Sequence, residues 1–126
     1  MFQTYPKPWI DYYSQNGLVM LDPTVRWGFE NVGQIRWSKL AANDSDGVLA
    51  LSAEHGLKFG LTYSFGPADR RSIASFARSD REFTDEEVTS LYTQTDALTA
   101  AIDQAGRLDD QTQGYLRKMS VIFTHP

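Results

Sequence analysis

The sequence predicts an α/β fold, an α-β-α sandwich with a central antiparallel sheet flanked by helices. Three observations carry this expectation. Lys58 to Phe65 and Ser72 to Arg78 are two runs rich in aromatic and β-branched residues, and Gly66-Pro67-Ala68-Asp69 between them marks a turn, so they read as an antiparallel hairpin. Thr84-Asp85-Glu86-Glu87 is a capping box with Thr84 and Glu87 in the reciprocal positions, and it opens a helix to about Gln104. Three shorter segments with helix start and stop signals precede the hairpin.

The elements follow in chain order. Pro6 to Asn16 reads as a helix, because Pro6 and Pro8 are tolerated in a first turn and Asn16-Gly17 supplies a stop. Leu18 to Leu21 is a short apolar run. Asp22-Pro23 reads as an N-cap followed by proline at the first helical position, opening a helix through about Phe29. Asn31 to Trp37 is a connector or short strand. Asp44-Ser45-Asp46 supplies a cap for a helix to about His55, with Gly56 as its stop and a small-residue face at Leu49, Ser52 and Ala53. In the long helix, Val88, Leu91, Thr95, Leu98, Ile102 and Ala105 repeat at three and four residues and form one stripe, which Gly106 ends. Leu108 to Met119 reads as a further short helix.

At 126 residues the chain fits one domain. Hydrophobic residues at 41% and charged residues at 22% place it among folded globular chains rather than disordered ones. With no cysteine, disulfides, thiolate catalysis and cysteine-ligated metals are excluded together. No apolar stretch reaches membrane-span length and no signal-peptide pattern opens the chain, so a cytoplasmic location is expected. The formal net charge of −4 argues against nucleic-acid binding by this chain, since phosphate contacts need a concentrated basic surface. Arg70, Arg71, Arg78 and Arg81 are interleaved with Asp69, Asp80 and Glu82, which reads as a solvated turn and strand end.

Candidate chemistry concentrates near the N-terminus. Tyr5, Trp9 and Tyr13 recur every four residues and share a helix face. Trp only donates a hydrogen bond, ionised Asp only accepts, and Tyr does both. Such a set suits a small, mostly apolar ligand carrying an amide or ester. It holds no nucleophile beside a base, and neither a G-x-S-x-G elbow nor an H-x-x-x-H metal spacing occurs, so no enzymatic activity, metal or cofactor is expected. Each aromatic also has a plain reading as core. Asp22 has one as an N-cap, and His55 one as a helix-end residue favoured by the macrodipole.

The residues together resemble a known family. Y-P-K-P-W-I-D-Y-Y from Tyr5, then Asp22-Pro23, then Trp37-Ser38 after Ile35, then Gly56-Leu57 through Gly60 to Thr62, then Ser72-Ile73-Ala74-Ser75-Phe76 occur in the order found in the autoinducer-binding domain of LuxR-type quorum-sensing regulators. The resemblance spans roughly Tyr5 to Gly106. It implies that Trp9 donates to a lactone carbonyl, that Asp22 accepts from an acyl-amide N–H, and that Tyr5 and Ser75 approach the amide carbonyl. It further implies that Tyr13, Val25, Trp37, Leu57 and Thr62 line the walls. The implied ligand is an acyl-homoserine lactone or a similar acylated amide, and the helix bearing Val88, Leu91, Thr95, Leu98 and Ile102 extends from core face into a dimer seam.

Two departures from the family are visible. The chain begins four residues before Tyr5, so the family's first strands are not expected, and the sheet should have roughly three strands with an edge that needs covering. Residues 1–107 correspond to the ligand-binding domain. Residues 108–126 form a tail, whose Leu108 to Arg117 faintly resembles the first helix of the family's DNA-binding domain, so this chain is not expected to bind DNA. A second reading follows, in which the chain forms a homodimer or pairs with a full-length regulator through the long helix as an antagonist. An unrelated GAF- or PAS-like small-ligand domain shares the architecture, since fold does not fix function.

Overall fold

In a computed structural model, residues 2–3, 5–107 and 117–122 are described. The described residues form five strands and four helices. These are β1 (Phe2–Gln3), α1 (Lys7–Gln15), α2 (Pro23–Glu30), β2 (Gly33–Arg36), α3 (Val48–Glu54), β3 (Phe59–Phe65), β4 (Ser72–Arg78), α4 (Asp85–Arg107) and β5 (Arg117–Ile122). Short 3-10 turns at Leu18–Met20, Trp37–Lys39 and Ala41–Asn43 link them. The sheet order is β1-β5-β4-β3-β2. Strands β2, β3 and β4 are antiparallel, as expected, and β5 adds parallel to β4 with β1 parallel to β5.

Two corrections concern the C-terminal part. The helix expected over Leu108 to Met119 falls on residues 108–116, outside the described residues, and its last three residues are strand. The β4 edge, expected to be open in a sheet of roughly three strands, is instead paired along Ser72 to Ala77 by β5, which satisfies ladder groups that an edge would leave free. Helix α4 runs one residue past Gly106.

Local chemistry explains the starts and stops. The Asp22 side chain accepts from the Thr24 backbone N–H at 2.8 Å, and Pro23 takes the first helical position, where a missing N–H costs nothing. The capping box forms in both directions, Glu87 N–H to Thr84 Oγ1 at 3.1 Å and Thr84 N–H to Glu87 Oε1 at 2.8 Å. Helix α3 starts later than expected. Its cap position is Gly47 at φ 71, a left-handed conformation that needs glycine, while the Asp44 carboxylate reaches forward to the N–H groups of Leu49 and Ala50.

Helices cover both sheet faces, so β4 is buried along its whole length. Alternation divides the side chains. Leu61, Tyr63, Ala74 and Phe76 point to one face and form a cluster with Phe83 and Val88, against which Phe65, Leu91 and Ile102 pack. The stripe of α4 is thus a core face. Thr95 and Thr99 are buried on it, whereas Leu98 is half exposed and lies off the stripe. Opposite, Gly60, Thr62, Ser64, Ile73, Ser75 and Ala77 face α1, α2 and α3, where Trp9, Leu18, Trp37, Val48 and Leu57 cluster with Ala77.

Of the four arginines expected at a solvated turn and strand end, Arg70 and Arg81 are exposed, whereas Arg71 and Arg78 are buried. Arg78 is buried and donates from Nε and Nη2 to both oxygens of Asp80, each at 2.9 Å, with Glu87 at 3.6 Å. Arg71 is buried and donates to the backbone carbonyls of Gly66 and Phe29. Charge spacing does not distinguish a guanidinium in water from one whose fork is matched by a bidentate carboxylate or by carbonyls, and the latter tolerates burial. Among the described residues, no helix is long and apolar enough to cross a membrane.

Candidate ligand-binding site

Between the small-residue face of the sheet and the first three helices lies a narrow cavity of about 20 Å³. The sequence places its walls locally. Helix α1 brings Trp9 and Tyr13 to one side because they are four residues apart, and Tyr5 precedes the helix on the same side. The cap of α2 brings Asp22. The 3-10 turn after β2 brings Trp37, and β4 brings Ser75 as a floor residue.

Six of the nine expected residues therefore meet at one cavity: Tyr5, Trp9, Tyr13, Asp22, Trp37 and Ser75. The other three stand behind them. Thr62 is fully buried in the floor, where its hydroxyl accepts from Trp37 Nε1 at 2.9 Å and contacts Ser75 Oγ at 2.8 Å. Leu57 packs in the cluster behind Trp9 and Trp37, and Val25 is buried on α2. Ile10, Thr24, Val48, Leu49 and Ser52 also line the cavity and had not been singled out as site residues. Thr24 carried a usable signal, since the second residue of a helix lies beside its N-cap. Ser52 lies one turn beyond the adjacent Val48 and Leu49 on α3, a spacing equally consistent with ordinary core.

The polar groups are held in a fixed arrangement. Asp22 is buried, and its Oδ1 accepts from both the N–H and the hydroxyl of Thr24, at 2.8 and 2.7 Å. Its Oδ2 accepts from the Tyr13 hydroxyl at 2.8 Å. Burial pushes the Tyr13 phenol well above its ordinary value, and the Asp22 carboxylate pushes it further the same way, so Tyr13 remains a proton donor. Asp22 is thus an N-cap whose carboxylate also lines the cavity. Trp9 is buried edge-on to Tyr13 at 5.7 Å, with His55 against its ring at 5.1 Å. The two indoles differ. Trp37 has spent its N–H on Thr62, whereas among the described residues the Trp9 N–H meets no acceptor.

The arrangement offers donors from Trp and Tyr, one buried carboxylate acceptor, a hydroxyl floor and apolar walls. The Ser52 hydroxyl bonds the carbonyls of Leu49 and Leu57, and Ser75 contacts Thr62, so neither is paired with a base. Among the described residues, no group of three His, Asp or Glu is placed to hold a metal ion.

Residues 1–105 match the family model described as "Autoinducer binding domain". The chain belongs to the autoinducer-binding domains of LuxR-type regulators. The transcriptional activator protein VanR of Vibrio anguillarum is 30% identical over 92 residues, covering 71% of this chain and 38% of that protein. The transcriptional activator protein LuxR of Aliivibrio fischeri is 30% identical over 91 residues, covering 68% and 36%. This chain thus spans under two fifths of the length of these relatives. A solved structure, SdiA in complex with octanoyl-rac-glycerol, aligns with a TM-score of 0.45 and 22% identity over 57% of this chain and 29% of that one. Membership in the autoinducer-binding family implies a small-molecule signal as the occupant of such a cavity.

Proposed function

We propose that this domain binds an acyl-homoserine lactone or a closely similar acylated amide. The observation that carries the reading is the buried Asp22 carboxylate, held by Thr24 and Tyr13 at the wall of a cavity that the donors Trp9 and Tyr5 also line. Each carboxylate oxygen accepts more than one hydrogen bond, so an amide N–H adds to those already present. The Trp9 indole then donates to the ring carbonyl. Tyr5, whose hydroxyl lies 3.5 Å from the Ser75 carbonyl, and Ser75 itself flank the amide carbonyl. Leaving Asp22 buried beside a ligand that lacks the amide would forfeit a charge-assisted bond, so amides are selected over simple esters.

Thermal unfolding against a panel of acyl-homoserine lactones tests this. Ligand at a hundredfold excess over its dissociation constant stabilises the folded state by about 2.7 kcal/mol. For a domain of this size that is a rise in Tm on the order of 10 °C. Asp22→Asn keeps an N-capping side chain and removes the charged acceptor, so the fold should persist while the ligand-induced rise shrinks. Trp9→Phe should do the same by removing a donor. An unchanged rise in both variants would rule out the proposed polar contacts.

A further inference from the structure

At about 20 Å³ the cavity has room for roughly one water, whereas small-molecule sites span about 300–1,000 Å³. A wall must therefore move before an acylated amide enters, and the three helices over the cavity are not held alike. Helix α2 is bonded to the sheet and its loop, since the Ser64 hydroxyl donates to the Gly28 carbonyl at 2.7 Å and Arg71 donates to the Phe29 carbonyl at 3.3 Å. It also sits close on β4, where a Cβ built on Gly28 would lie 2.6 Å from Cδ1 of Ile73. Helix α1 is bonded to the α2 cap by the Tyr13 hydroxyl, which donates to Asp22 at 2.8 Å, and Tyr5 just before it donates to the Ser75 carbonyl at 3.5 Å. Helix α3 is different. It contributes Val48, Leu49 and Ser52 to the lining but closes on itself. Asp44 Oδ2 accepts from the N–H groups of Leu49 and Ala50, the Ser52 hydroxyl bonds the carbonyls of Leu49 and Leu57, and His55 Nδ1 donates to the Leu51 carbonyl at 3.0 Å. Among the described residues, every hydrogen bond of residues 47–57 ends within residues 44–57.

What joins this segment to the rest is apolar packing and ring contact. Val48 and Leu57 sit in the cluster with Trp9 and Trp37, and the His55 ring rests against Trp9 at 5.1 Å and Tyr12 at 6.2 Å. Its two ends differ. Leu57 is buried, and the Lys58 N–H beside it donates to the Arg78 carbonyl at 3.1 Å, whereas residues 41–43 ahead of Asp44 are exposed. Resting on the lactone reading above, we infer that residues 44–56 are the wall that opens to admit the ligand, pivoting as a unit at Leu57, with His55 against Trp9 as the contact that holds it shut. Opening this wall gives up apolar and ring contacts, which a bound acyl group replaces. Moving α1 or α2 instead would break buried hydrogen bonds that an acyl group cannot replace.

The chain has no cysteine, so a single introduced thiol reports access to one place. Val48 is 1% exposed at the free end of the wall, and Ser64 is 1% exposed on the sheet beneath Gly28. Iodoacetamide should label Val48→Cys about tenfold faster than Ser64→Cys in native buffer, because local opening reaches the first and only deeper unfolding reaches the second. Adding His55→Ala should speed labelling at Val48→Cys about three- to tenfold, the range of one ring contact, and leave Ser64→Cys unchanged, a split that a general loss of stability would not give. The acyl-homoserine lactone that raises Tm most should slow labelling at Val48→Cys about tenfold. Should Val48→Cys fail to fold, Ser52→Cys on the same wall takes its place, with the same expectations. Equal labelling at the wall and at Ser64→Cys, no effect of His55→Ala, or labelling that a bound lactone leaves unchanged would overturn the inference. Fast labelling at Val48→Cys in a protein that binds no lactone of the panel would instead remove the lactone reading and leave the moving wall standing.

Discussion

The two faces of the β3–β4 hairpin are built from the same fourteen residues to opposite ends. On the α4 side, Leu61, Tyr63, Phe65 and Phe76 are large and fill the layer. Tyr63 meets Phe76 edge-on at 5.8 Å and turns its hydroxyl to the Val88 carbonyl. Burial pushes that phenol up, so it too stays a donor. On the other side, Gly60, Thr62, Ser64, Ser75 and Ala77 are small, and three of them carry hydroxyls. The first face yields a dense core. The second leaves a gap under the helices, and of its hydroxyls Ser75 reaches the lining of that gap. Under the proposed function, a sheet with one filled face and one cavity-bearing face would separate stability from binding by strand alternation alone.

Adjacent residues of one strand break this comparison most sharply. Phe76→Ala empties the filled face and should cost about 3–5 kcal/mol, read by denaturant unfolding, while leaving the preference among ligands unchanged in whatever protein remains folded. Ser75→Ala, one residue away on the other face, should cost about 1 kcal/mol of stability, because Thr62 keeps its bond to Trp37. It should nonetheless weaken lactone binding two- to tenfold, within the range of one net hydrogen bond. If Phe76→Ala changed ligand preference as much as Ser75→Ala does, the faces would not be independent.

The degree to which each face was legible in the sequence follows from the same division. The hairpin, the capping box and the Asp22-Pro23 helix start were readable because each rests on local chemistry within a few residues. Tyr5, Trp9 and Tyr13 were readable as one surface because helical spacing fixes their direction. Thr62 was placed in a wall, yet it lies in the floor and holds Trp37, because its partner is 25 residues away. Ile73 passed as an ordinary strand residue. Its packing against α2 depends on the absence of a side chain at Gly28, 45 residues earlier, and no local pattern encodes that contact. Arg71 and Arg78 were misread for a similar reason, since a guanidinium declares itself buried only through the acceptors that surround it. Strand β5 lies in a stretch whose polar, glycine-containing lead-in gives no period-2 signal, and its pairing with β4 is long-range.

A smaller effect sharpens the comparison from the stability side. Glu87 lies at the start of α4, on the filled face's helix and away from the cavity lining. The Arg81 guanidinium binds its two oxygens at 2.7 and 3.2 Å, the Thr84 N–H adds a third bond, and Arg78 stands nearby. Together they hold its carboxyl at about 2 instead of the ordinary 4.5. A depressed folded-state value means the charged form is stabilised in the native protein, so the contribution is complete above roughly pH 5 and is lost as pH falls from there towards 2. Because the side chain is about a third exposed, solvent screening reduces the contribution to about 1 kcal/mol. Glu87→Gln keeps the capping-box geometry and removes the titration. The stability difference between wild type and variant should therefore close between pH 5 and pH 2, with lactone affinity at neutral pH unchanged. A difference that stays constant across that range would place the role of Glu87 in the helix cap alone, and a change in affinity would mean that the start of α4 communicates with the opposite face of the sheet.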